Sequence, residues 1–256
     1  MDKIDNLIIL IDKYTEIIKP LIDKNKSIDR KKDLELFVNL AFLERFYYNS
    51  CAIKALLELF KNDHNYKFPI GLLLRTCLSD FLTYFYFLLI VKENYPNDES
   101  INNEIKQFLV GNIHSLKKEI DWSLKNKKIT KQLYDEAWQD IKRLYDDFFD
   151  PLTGKLINDK NIAIAVIKNK LKTHQDMEWA AFAYEGYALF SKYEHFGAFT
   201  YDLQKFHLLN DDFDINGIIM STNHIYWCVE EIVKSMKEYE NLKFHLGELR
   251  TDFSEL

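Results

Sequence analysis

The stretch FPIGLLLRTCLSDFLTYFYFLLIV, residues 68–91, is apolar almost throughout. A run this apolar is either a membrane span or a helix enclosed on all sides by other protein. Arg75 and Asp80 interrupt it, and the uncharged remainder is only about half the roughly 20 residues that a spanning helix needs. The sequence therefore predicts a central core helix running to about Glu93, with Pro69 in its first turn, where a missing N–H costs little.

Glycine and proline are scarce, 7 and 4 in 256 residues, and a turn-rich β-sandwich or barrel needs far more of both. Long helices do not. Helical periodicity is visible elsewhere: Ile4, Leu7, Ile8, Ile11, Tyr14 and Ile18 recur at 3–4 spacing, predicting a first helix from about Asp2 into the twenties, with Pro20 kinking or ending it. A second helix is expected over about 33–61. More polar helices follow over 101–125 and 131–148, then an exposed turn or short hairpin at DPLTGKLINDKN and a short helix over 162–171. The last expected helix, 215–239, carries Ile218, Ile219, Thr222, Ile225, Tyr226, Val229, Ile232 and Val233 on one stripe. The expected fold is all-α, a single helical bundle of about seven to nine helices, two or three of them long. It forms one domain over 1–256, with about 97–160 as a more variable appendage.

The formal net charge of −6 argues against a surface that grips nucleic acid everywhere. A local basic groove around HSLKKEIDWSLKNKKITK competes with the plainer reading of that stretch as the wetted face of a helix. Cys51, Cys77 and Cys228 lie far apart, with no CxxC or Cys/His spacing, so neither a disulfide framework nor a zinc site is expected. The acidic start of the chain has no unbroken apolar segment of the signal-peptide kind, and the expected compartment is the cytoplasm, with no membrane partner. Richness in Lys, Asn and Ile is associated with AT-rich bacterial genomes.

Two places carry candidate chemistry. In YEGYALFSKYEHFGAFTYD, helical geometry at 100° per residue brings Tyr184, Ser191, His195 and Asp202 onto one polar stripe of an aromatic element. Ser191 and His195, four apart, are its firmest pair. A histidine titrates near neutrality and can move a proton, and a neighbouring serine can orient it or serve as a nucleophile. The other place is Arg75, whose helical neighbours are nearly all apolar. A buried guanidinium must meet a carboxylate, carbonyls or a ligand anion. Asp80 lies about 140° around the helix from it and cannot meet it by sharing its face. No metal is expected, because Glu-x-x-His and HExxH are both absent. His224, beside Trp227, is expected on the flank of its helix.

The order LLLRTCLSDFLTYFYF followed much later by YALFSKYEHFGAF resembles a group of uncharacterised bacterial all-helical proteins, with an Arg ahead of an acidic residue on an apolar helix and a Tyr-rich Ser-x-x-x-His helix. More distantly, the chain resembles the HEPN class of helical bundles, several of which are metal-independent RNases in toxin and phage-defence systems. In the HEPN signature the Arg precedes the His by four to six residues on one helix, whereas here the Arg stands on an upstream helix and Lys192 is the basic residue nearest His195. Carried over residue by residue, the resemblance picks out Arg75, Asp80, Ser191 and His195; as an enzyme the chain is expected to be a metal-independent endoribonuclease without cofactor, with His195 as general acid or base, Arg75 on the phosphate, Ser191 orienting one of them, and Asp80, Tyr184 and Lys192 in binding. The resemblance also implies RNA or a nucleotide as ligand and a homodimer as the assembly. The competing expectation is a non-enzymatic module that binds a nucleotide, another anion or a protein partner, with Arg75 and His195 structural.

Overall fold

The structure, a computed structural model, describes residues 3–160, 162–194 and 211–256, with side chains throughout except at 192–194 and 211–214. The described residues form nine α-helices with short 3-10 turns between them and no strand beyond a single bridge: α1 (Lys3–Asn25), α2 (Leu34–Phe60), α3 (Lys67–Asn94), α4 (Asp98–Lys125), α5 (Lys131–Leu144), α6 (Ile164–Lys172), α7 (Ala183–Glu194), α8 (Asp211–Lys234) and α9 (Tyr239–Ser254). The all-α expectation holds. Local sequence sets several of the boundaries. Asp33 caps α2 by accepting from Leu36 N, Asn97 caps α4 through Ser100 N, and Thr130 caps α5 through Leu133 N. Pro20 lies inside α1, which continues past it for five more residues.

The chain divides into two compact units, residues 1–86 with 164–256, and residues 87–163; the division falls within α3. In the larger unit α1 packs along α2, α8 and α9. Tyr14 is fully buried there, donates to Ser50 Oγ, and lies 6.2 Å from the Tyr226 ring and 6.1 Å from Phe253. Tyr226 in turn donates to Leu246 O, and Arg250 pairs with the buried Glu230, so α9 is held to α8 by both polar and apolar contacts. Of the segment His64–Asn94, which is long and apolar enough to cross a membrane, 67% of the most apolar window is buried within the protein. Ile70, Leu74, Cys77, Leu78, Phe81, Leu82 and Tyr84 face its neighbours on several sides, as an enclosed helix requires.

The smaller unit contains the stretch expected as an appendage. It has its own core of Val110, Ile113, Ile141 and Phe148, with Trp138, Phe149, Leu156 and Ile157 packed against it. The DPLTGK turn is closed by an antiparallel bridge between Phe149 and Leu156. Asp150 accepts from Leu152 N and Thr153 N, which lowers its carboxyl pKa, and Gly154 adopts the left-handed φ of +63° that the reversal needs. Lys160 ties the following chain to α4 through both oxygens of Glu104.

Candidate functional site

Within the larger unit, α7 brings Tyr184, Tyr187 and Ser191 onto one face, at positions i, i+3 and i+7. The two tyrosine rings lie 5.6 Å apart. Each is covered by a cation from another helix: the Arg75 guanidinium of α3 sits 5.2 Å from the Tyr187 ring centroid, and Lys168 Nζ of α6 sits 5.3 Å from that of Tyr184. Arg75 also donates from Nε to Ser191 Oγ at 3.0 Å, and Ser191 Oγ in turn donates to Tyr187 O at 2.7 Å. The arginine is half-buried and fixed at two points, by a ring beneath it and a hydroxyl beside it. The sequence singled out Arg75, Ser191 and Tyr184; Tyr187 and Lys168 join them only through tertiary packing. The i, i+3 spacing of Tyr184 and Tyr187 was the available signal for the former.

His195 lies outside the described residues, as does the side chain of Lys192. Asp80 is not on the α7 face. Its carboxylate accepts from Arg45 Nε of α2 at 2.8 Å and is almost wholly enclosed, so burial pushes its pKa up while Arg45 pulls it down. His224 stands apart too. Its ring lies 5.4 Å from Phe81 and 5.3 Å from Trp227, and burial lowers its pKa. Met220 O, which can only accept, sits 2.7 Å from Nδ1 and so identifies that nitrogen as the protonated one. Around the helix from the tyrosine face, Phe182, Glu185, Gly186 and Leu189 line a mostly apolar cleft of about 670 Å³ with α8 residues Asn216, Met220, Ser221 and His224.

A narrow strip of cations over aromatic rings suits a ligand that offers negative charge and flat rings together. Among the described residues no three His, Cys, Asp or Glu side chains are grouped as a metal site would need. No family model, curated protein or solved structure matches the chain.

Proposed function

We propose that the α7 face binds RNA and that, together with His195, it cleaves the strand without a metal, as an effector of the toxin or phage-defence kind. The observation that carries this reading is the pair of cations, Arg75 and Lys168, seated over Tyr187 and Tyr184 on one helix face. The rings seat the two cations on one helix face, and the cations offer charge to a phosphate. The likeness to HEPN bundles supports the same reading, and a homodimer that places two such faces in one cleft belongs to it.

In the proposed reaction His195 takes the proton from a ribose 2′-hydroxyl, the 2′-oxygen attacks the adjacent phosphorus, and the 5′-oxygen leaves with a proton returned by an acid. The products are a 2′,3′-cyclic phosphate and a 5′-hydroxyl. Arg75 meets the charge that builds on the phosphate in the transition state. Ser191 is a positioning residue, because its proton is committed to Tyr187 O and its lone pair to Arg75.

A second reading has its own observation. The Arg75–Ser191 bond joins α3 to α7, which is what an arginine kept for architecture does, and the face would then bind a nucleotide or anion without turning it over. Incubating a single-stranded oligoribonucleotide in EDTA with wild type, His195→Ala and Arg75→Ala separates the two. Cleavage by wild type that falls about 100-fold or more in His195→Ala at unchanged helicity supports the enzyme. Undiminished cleavage by His195→Ala removes it, and binding without any cleavage by wild type favours the module.

A further inference from the structure

The 87–163 unit holds a second concavity that the α7 face does not use. It is a cleft of about 470 Å³, within the range of small-ligand sites, lined by His114, Lys117, Trp138, Lys142, Phe149, Gly154, Lys155 and Leu156. Three lysines and no carboxylate line it, on a chain whose formal charge is −6. They come from three separate elements: Lys117 from α4, Lys142 from the last turn of α5, and Lys155 from the bridged turn. Of the lysine-rich stretch in α4, only His114 and Lys117 take part, so the fold has selected among its charges.

The lysines differ in how they are engaged. Lys117 is held by Asp121 at 2.6 Å and lies 5.4 Å from the Trp138 ring centroid. Lys142 and Lys155 have no carboxylate partner among the described residues. His114 Nε2 is 3.2 Å from Ile157 O, an acceptor, so this nitrogen carries the proton and the ring is fixed beside the cleft. Beneath the charges lies an apolar floor: Trp138 and Phe149 meet edge to face at 5.8 Å, with Leu156 alongside.

We propose that this cleft binds a nucleoside phosphate, with Lys142 and Lys155 on the phosphate and the flat base against Trp138 and Phe149. Lysine reads phosphate as a mobile point charge, and aromatic walls favour planar rings over flexible chains. The same chemistry is presented by a free mononucleotide and by one nucleotide of an RNA strand. The inference does not depend on the cleavage reading, because the cleft lies in the other unit and binding is read without turnover.

Titration calorimetry on the full chain with AMP, adenosine, inorganic phosphate and a short single-stranded oligoribonucleotide tests the proposal. It compares wild type with Lys142→Gln/Lys155→Gln and with a charge-matched control, Lys118→Gln/Lys125→Gln, on exposed positions of α4. AMP is expected to bind more tightly than adenosine or phosphate, about tenfold more weakly to the cleft pair, and equally to the control. If the strand is the source, the oligoribonucleotide binds where AMP does not, and the cleft pair lowers its log–log salt slope by roughly 1 to 2. Equal loss in both lysine pairs, inorganic phosphate matching AMP, or binding of neither AMP nor strand to wild type would overturn it. Arg75→Ala protein is expected to keep this binding, so failure of the cleavage reading is seen separately.

Discussion

Asp80 is a buried carboxylate whose charge depends on one partner. It is 9% exposed, and among the described residues Arg45, itself half in solvent, supplies its charge-assisted hydrogen bond, at 2.8 Å. Because burial raises its folded pKa above the unfolded value, the folded protein holds a proton on Asp80 more readily than the unfolded chain. The stability this lends is full below the unfolded pKa and is lost as pH rises through the folded one. Once charged, the carboxylate needs Arg45. Arg45→Ala should therefore cost about 2 kcal/mol at pH 7, less than a fully buried pair, and distinctly less near pH 4. Denaturant unfolding at the two pH values reads this, and an equal loss at both would contradict it. Helical geometry already separated Asp80 from Arg75 in the sequence. Arg45 was invisible there, because its pairing spans 35 residues and is made only when α2 and α3 pack.

At the scale of elements, α7 shows how a residue that weakens a helix is retained for packing. A Cβ on Gly186 would stand 2.9 Å from Leu78 Cδ1 and 3.2 Å from Ser221 Oγ, so an alanine there would force the side chains of α3 and α8 that face it to shift. Gly186→Ala gains helix propensity of up to about 1 kcal/mol and meets an overpacking cost of roughly 1–3 kcal/mol. Net destabilisation in denaturant unfolding is the expected result, and a more stable protein would show that the helices have room to part. The helices marked by a clean stripe or a side-chain cap were legible in sequence, α1 by its stripe and α2 and α4 by their caps, because local chemistry fixes them. Helix α9 was not. Leu246, Leu249 and Phe253 do keep a 3–4 spacing, but Gly247 and a polar majority hide it, and its burial comes from Tyr226 and Tyr14 on other helices. Helix α5 ends at Leu144, short of the expected 148, because the chain there tightens into a 3-10 turn that buries Phe148.

At the scale of the whole molecule, two units each carry lysine or arginine beside aromatic rings, in a chain of net negative charge. The Arg75 and Ser191 half of the candidate site was legible because an arginine in an apolar helix demands a partner. Lys168 and the cleft of the smaller unit were not, since their residues are brought together from separate helices. Cleavage of RNA by the α7 face and His195, as proposed above, would run through the strand's own 2′-hydroxyl. The most direct measurement is the chemical identity of the ends that wild-type protein leaves on an oligoribonucleotide in EDTA, beside the same strand with 2′-deoxy sugars. The expected result is 2′,3′-cyclic phosphate and 5′-hydroxyl ends from the ribose strand and no cutting of the deoxy strand. An intact ribose strand, 3′-hydroxyl ends, or equal cutting of both strands would contradict it.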